Sequence, residues 1–204
     1  GKFEEKYIYP VIRNLHKIFL RYIDDIFMIW TGTKEQFHNS IDDLNQKHPS
    51  IKFGDYKISS TEVHFLDTTV YIDQNNQLQT KLYRKPTDRQ NYLYRTSVHP
   101  ESLKVNIPYS QALRIRRICS TQDEFDKSCN TLQNKFIKRG YTAEEVSQQI
   151  SKTKSIPRND TLTQKIRQKT TRIPFVTTFN RTLPAISKFL RNRWDLLQLS
   201  NKVK

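Results

Sequence analysis

The sequence predicts an α+β fold in which short antiparallel strands come first and helices follow. Three observations carry that expectation. Residues 17–30 are dense in β-branched and aromatic side chains, with the adjacent carboxylates Asp24 and Asp25 near the middle, and read as two buried strands meeting at a tight Asp-Asp turn. Residues 63–72 and 78–83 alternate apolar and polar positions around Asn75-Asn76, the pattern of a β-hairpin. Beyond Tyr83 strand signals stop, and helix starts of the Ser/Thr-x-x-Glu type recur at Thr121 with Glu124 and at Thr142 with Glu145.

In chain order, residues 3–16 space Phe3, Tyr7, Ile8, Val11, Ile12 and Leu15 roughly as a helix does, apart from Pro10, so one helix or two short pieces should lead into the first strand. Thr31-Gly32 is a turn, and Thr33 with Gln36 makes a capping box for a helix bearing Phe37, Ile41 and Leu44 that stops near His48-Pro49. Residues 51–58 form a strand or an extended connector from which Lys52 and Lys57 project. Pro100 and Pro108 suit first helical turns, and Pro108 opens a segment where Arg114 and Arg117 share a face while Arg116 lies around the side. The next helix carries Phe125, Cys129, Leu132 and Phe136 and is ended by Arg139-Gly140. Residues 151–171, polar and basic, read as a linker. A strand at 173–179 and a helix from Pro184 with Ile186, Phe189, Leu190, Trp194 and Leu197 complete the order.

Charge divides the chain. Residues 1–80 hold nine basic and eleven acidic side chains, net −2, while residues 81–204 hold 26 and nine, net +17. So lopsided a distribution predicts a polyanionic partner bound in a salt-dependent way. A membrane partner is disfavoured, because no apolar run approaches about 20 residues and no segment sets a broad apolar face against lysines. Cys119 and Cys129 make no CxxC pair and too small a set for zinc. They suit a reducing compartment, and no secretory or myristoylation signal opens the sequence. A nuclear or cytoplasmic protein is the expectation. Met28 is the single methionine and is internal, so the sequence reads as a fragment lacking its beginning.

Two neighbouring carboxylates in an apolar run call for a cation. A hard divalent ion such as Mg²⁺ or Mn²⁺ suits their oxygens and leaves positions for phosphate oxygens, as paired-metal nucleotidyl transfer requires. Asp24 and Asp25 also suit a plain turn. Their surroundings favour the first reading. Arg21-Tyr22-Ile23-Asp24-Asp25-Ile26-Phe27 resembles the YxDD box of reverse transcriptases. The downstream blocks resemble the reverse transcriptase of Penelope-like retroelements, namely Phe65-Leu66-Asp67, Tyr83-Arg84-Lys85-Pro86-Thr87-Asp88, Ser97-Val98-His99-Pro100, the stretch 107–120 and Lys138-Arg139-Gly140-Tyr141.

The resemblance implies a partial polymerase palm over 1–82, a helix-turn-helix-like thumb over 83–150, and a basic linker with a strand and helix extension over 151–204. It implies RNA-directed DNA polymerisation on an RNA template and DNA primer with dNTP substrate. Asp24 would ligate Mg²⁺ (or Mn²⁺), Asp25 would assist, and Tyr22 would touch the nascent duplex. Phe65, Leu66 and Asp67 match the position of the primer grip. Lys52 and Lys57 fall where a lysine meets nucleotide phosphates, with plain exposed lysines as the alternative. Arg84, Lys85, Arg114, Arg116 and Arg117 would contact nucleic acid, the arginine cluster being otherwise a solvated helix face. A further palm aspartate and the fingers do not appear before Lys17, so residues 1–204 alone should not polymerise. No GIY-YIG endonuclease motif occurs. The alternatives are a non-catalytic nucleic-acid-binding remnant, and an interaction module on the last helix if Trp194 is exposed.

Overall fold

The computed structural model describes residues 1–163 apart from Arg13, with Lys188 and residues 191–193. The strand expected at 173–179 and the last helix, Trp194 included, lie outside the described residues. The architecture is α+β, with two small antiparallel sheets and a helical set. It divides into two compact units, Gly1–Pro86 and Thr87–Lys204.

The first unit opens with a π-helical stretch, Glu4–Ile8, running into α1 (Tyr9–Ile12). Pro10 has no N–H to return to the carbonyl four residues back, and the wide π register lies immediately before it. Ile8 and Ile12 are buried with Leu44 of α2 (Lys34–Gln46), and Phe19, Met28 and Trp30 pack on this cluster. Strands β1 (His16–Tyr22) and β2 (Asp25–Trp30) pair antiparallel. They are not the buried strands expected. Phe19 and Met28, paired across the hairpin, meet the helices, whereas Ile18, Leu20 and Tyr22 are exposed. Two strands with helices on one face leave the other face open. The capping box of α2 forms as expected, with Gln36 N donating to Thr33 Oγ1 at 3.1 Å and Thr33 N to Gln36 Oε1 at 2.8 Å. Residues 51–58 form a connector without regular structure.

The second sheet is a three-stranded meander, β3 (Glu62–Phe65), β4 (Thr68–Ile72) and β5 (Leu78–Leu82). The sequence reading ran β3 and β4 together as one strand, but the chain reverses at Leu66-Asp67, with Leu66 at φ 55°. The β1–β2 loop repeats this device. It is only Ile23-Asp24, with Ile23 at φ 53° and 68 % exposed. A left-handed conformation costs an L-residue roughly 1–2 kcal/mol, so Ile23→Gly, which gives up little burial, should leave stability unchanged or raise it by up to about 1 kcal/mol. Urea unfolding reads this directly, and a loss above that size would contradict it.

In the second unit a strap, residues 87–100, precedes α3 (Glu101–Ile118), α4 (Gln122–Ile137), α5 (Ala143–Lys154) and α6 (Arg158–Leu162). Ala112, Ile115, Phe125, Leu132, Phe136 and Val146 form its core. α3 does not start at Pro108 as expected. Pro100 caps it, and Pro108 lies buried inside. A proline there strands the carbonyl four residues earlier, and the buried Tyr141 hydroxyl donates to that oxygen, on Lys104, at 3.4 Å. Gly140 (φ 83°) ends α4 in the left-handed conformation that suits glycine, and Tyr141 N donates to Phe136 O at 3.2 Å. Thr142 and Glu145 make the full capping box that starts α5. At α4 only Thr121 caps, accepting from Glu124 N.

The expected linker at 151–171 is structured at its start. Residues 151–154 finish α5 with Thr153 fully buried, and α6 follows Pro157. Too few large apolar residues mark this stretch for a periodicity to show.

The strap is bound in by charge. Arg95 donates from Nη2 and Nε to Glu145 Oε1 at 3.0 and 3.2 Å and also pairs with Glu101. The Arg95 guanidinium, first, and the Thr142 amide hold the Glu145 carboxyl below the usual carboxylate range. A depressed folded-state value gives stability that is present above the unfolded value and lost as pH falls through the folded one. The second unit should therefore melt at lower temperature as pH drops below about 4.3, and Arg95→Met should flatten that acid dependence. Parallel acid profiles for both proteins would contradict this role for Arg95.

Candidate active site and nucleic-acid interface

The strand register decides where the two carboxylates stand. Tyr22 pairs with Asp25, so Asp24 occupies the hairpin apex and Asp25 opens β2. Both residues are exposed. The desolvation that the apolar run implied does not arise, because β1 and β2 bury only one face. What remains is a matter of donor chemistry. Asp24 and Asp25 are neighbouring hard-oxygen donors, and among the described residues neither carboxylate is committed to a hydrogen bond or an ion pair.

Arg21, the nearest cation in sequence, is used elsewhere. Its Nη1 donates to the Ile23 carbonyl at 2.8 Å, and its Nε meets the buried Glu4 carboxylate. Glu4 and Arg21 thus brace the strained residue of the loop from behind and leave the Asp24 and Asp25 oxygens in solvent. Among the described residues no group of three or more His, Cys, Asp or Glu side chains is placed to hold a metal ion. The pair fits Mg²⁺ or Mn²⁺ in donor type but supplies two of about six oxygens, the rest falling to phosphate oxygens, water or other ligands.

Of the other expected site residues in this unit, Phe65 approaches the tip. Its ring lies 5.8 Å from that of Phe27, two residues along β2 from Asp25. This contact brings the end of β3, just before the Leu66-Asp67 turn, against β2. The Asp67 carbonyl accepts from Tyr83 N at 2.8 Å, and Tyr22 is exposed beside the apex. Lys52 and Lys57 are both exposed on the connector, and the Lys52 Nζ donates to the Asn45 carbonyl of α2. Arg84 is half-buried and Lys85 exposed in the stretch after β5.

The arginine cluster on α3 separates by role. Arg114 and Arg117 share an exposed face as expected. Arg116 is half-buried. It donates from Nε to the Ile156 carbonyl at 2.9 Å and from Nη1 to Gln122 Oε1 at 3.0 Å, and lies over the Phe125 ring at 5.3 Å. Its first task is fastening the chain before α6 onto α3. Arg117 Nε also reaches the Thr161 carbonyl, at 3.0 Å, without losing its exposure. Cys119 and Cys129 are buried free thiols, and burial pushes Cys129 up to about 12, which makes it a core residue rather than a nucleophile.

The sequence offers Tyr83, Tyr92, Tyr94 and Tyr109 as base-stacking candidates, with core packing the commoner role, and marks Arg139 only as the residue that ends a helix with Gly140. Tyr92 stacks on Phe136 with centroids 4.4 Å apart, and Arg139 lies over the Tyr94 ring at 4.5 Å. Residues 91–151, from within this strap to near the end of α5, match the family model described as the animal helix-turn-helix domain. This agrees with the helix-turn-helix expected in the basic half. No curated protein and no solved structure matches the chain. Among the described residues no helix is long and apolar enough to cross a membrane.

Proposed function

We propose that this chain is part of a template-directed nucleotidyltransferase, with Asp24 and Asp25 as metal-binding carboxylates and the basic helical unit as its grip on nucleic acid. More particularly, we read it as part of the reverse transcriptase of a Penelope-like retroelement, covering the end of the palm and the thumb. The observation that carries the reading is the hairpin apex, where two adjacent carboxylates stand in solvent with their oxygens uncommitted. The match of residues 91–151 to a helix-turn-helix domain, within a half of net charge +17, supports a nucleic-acid partner. Divalent metal ions, when bound, would neutralise phosphate charge and activate the primer 3′ oxygen for attack on the α-phosphate of a dNTP. Asp24 and Asp25 would hold them, the Glu4–Arg21 brace would keep the loop in shape, and the Leu66-Asp67 turn would steady the primer backbone.

RNA-templated primer extension with Mg²⁺ tests the proposal. A full-length polypeptide containing this chain should extend a DNA primer, and residues 1–204 alone should not. Failure of the full-length protein would remove the polymerase reading, and synthesis by residues 1–204 would overturn the need for further palm residues. The second reading, a nucleic-acid-binding protein without polymerisation, draws on the helix-turn-helix match alone. It predicts binding unchanged by substitution of both aspartates and no extension in any context.

A further inference from the structure

We propose that Tyr94, with Arg139 and Lys138, forms a stacking seat for one unpaired base of a single-stranded nucleic acid. This rests on the reading that the basic unit meets nucleic acid and is independent of the polymerase chemistry. Tyr83, Tyr92, Tyr94 and Tyr109 are the tyrosines from the end of the second sheet through α3, and the structure sorts them. Tyr92 is stacked on the core residue Phe136, Tyr83 is stacked on His64 with centroids 3.9 Å apart, and Tyr109 is half-buried in α3. Tyr94 is different. The guanidinium of Arg139 covers one face at 4.5 Å, yet the residue stays 56 % exposed, more than any of the other three.

The setting is built rather than accidental. Arg139 is fixed by a side-chain bond to Asn91 Oδ1, and its carbonyl accepts from Arg95 N at 2.9 Å. The strap and the turn between α4 and α5 therefore hold ring and cation together. Lys138, the residue that ends α4, is exposed immediately beside Arg139. An aromatic face backed by a guanidinium, with a second cation adjoining, suits a flat base joined to a phosphate. The ring takes the base through stacking and the cations take the backbone charge. Every base has such a face, so the seat would be tolerant of sequence and would require an unpaired nucleotide.

The test uses the full 204-residue chain and fluorescence anisotropy with labelled twelve-residue oligo-dT, oligo-U and an abasic strand of equal length. Tyr94→Ala should weaken oligo-dT and oligo-U binding roughly 5- to 150-fold, the range for losing one base–aromatic stack, and leave the abasic strand unaffected. Tyr94→Trp should restore binding. Lys138→Ala should weaken all three strands alike and reduce the slope of log K against log salt by about 0.7. Thermal unfolding separates loss of fold from loss of contact, with Tyr94→Leu as the substitute should the alanine variant not fold. Equal weakening of base-bearing and abasic strands by Tyr94→Ala, or no weakening at all, would overturn the seat while leaving nucleic-acid binding in place. Absence of binding by the unaltered chain to any strand would overturn both.

Discussion

Replacing Asp24 with Asn is expected to lower RNA-templated primer extension by a full-length polypeptide carrying this chain by a factor on the order of 10³. Asparagine keeps the shape of the side chain but removes the charge that holds a divalent ion, and a metal contributes several kcal/mol of charge stabilisation in the transition state. Asp25→Asn should cost less, because Asp25 begins β2 while Asp24 stands alone at the apex. The fold should be indifferent to Asp24→Asn. The residue is exposed, its carboxylate is uncommitted among the described residues, and surface substitutions of that kind change stability by less than about 0.5 kcal/mol. A variant that melts like the parent but no longer extends a primer separates chemistry from folding. Full extension by the asparagine variant would mean that Asp24 is a turn residue and nothing more.

Phe136→Ala should destabilise the second unit by about 3–5 kcal/mol, the range for emptying a fully buried aromatic site. Phe136 has no exposed surface, Tyr92 of the strap stacks on it, and Tyr141 of the turn after α4 meets it edge-on with centroids 5.0 Å apart. Its loss therefore loosens the strap, the α4–α5 turn and the hydroxyl that satisfies the carbonyl opposite Pro108. Differential scanning calorimetry should show the transition of the second unit falling sharply. Tyr92→Ala should reproduce part of the drop, since the strap belongs to the helical domain. A Tyr92→Ala protein as stable as the parent would show the strap to be an ornament.

Features that depend on near neighbours in sequence were legible. The Thr33 and Thr142 capping boxes, the Gly140 stop and the carboxylate hairpin each need only a few adjacent residues. What escaped depends on distant partners or on conformations the side chain disfavours. Leu66-Asp67 and Ile23-Asp24 lack the Gly or Asn that marks a two-residue turn, so the first was read through as strand and the second placed one residue late. Pro108 looked like a helix start because nothing in the local sequence announces that Tyr141 will satisfy the Lys104 carbonyl. Arg116 looked like a phosphate contact because its acceptor, the Ile156 carbonyl, lies 40 residues further on. The burial of β1 and β2 was overestimated because an apolar run shows what a strand is able to bury and says nothing of how many faces are covered.

Binding of Mn²⁺ to the chain itself, followed by paramagnetic broadening of backbone amide signals, reads out whether Asp24 and Asp25 hold a metal ion. Signals of residues 22–27 should broaden first as Mn²⁺ is added, and this selective loss should disappear when Asp24 and Asp25 are both changed to Asn. Broadening that begins elsewhere, or that persists at the hairpin in the doubly substituted protein, would contradict metal binding by the two aspartates.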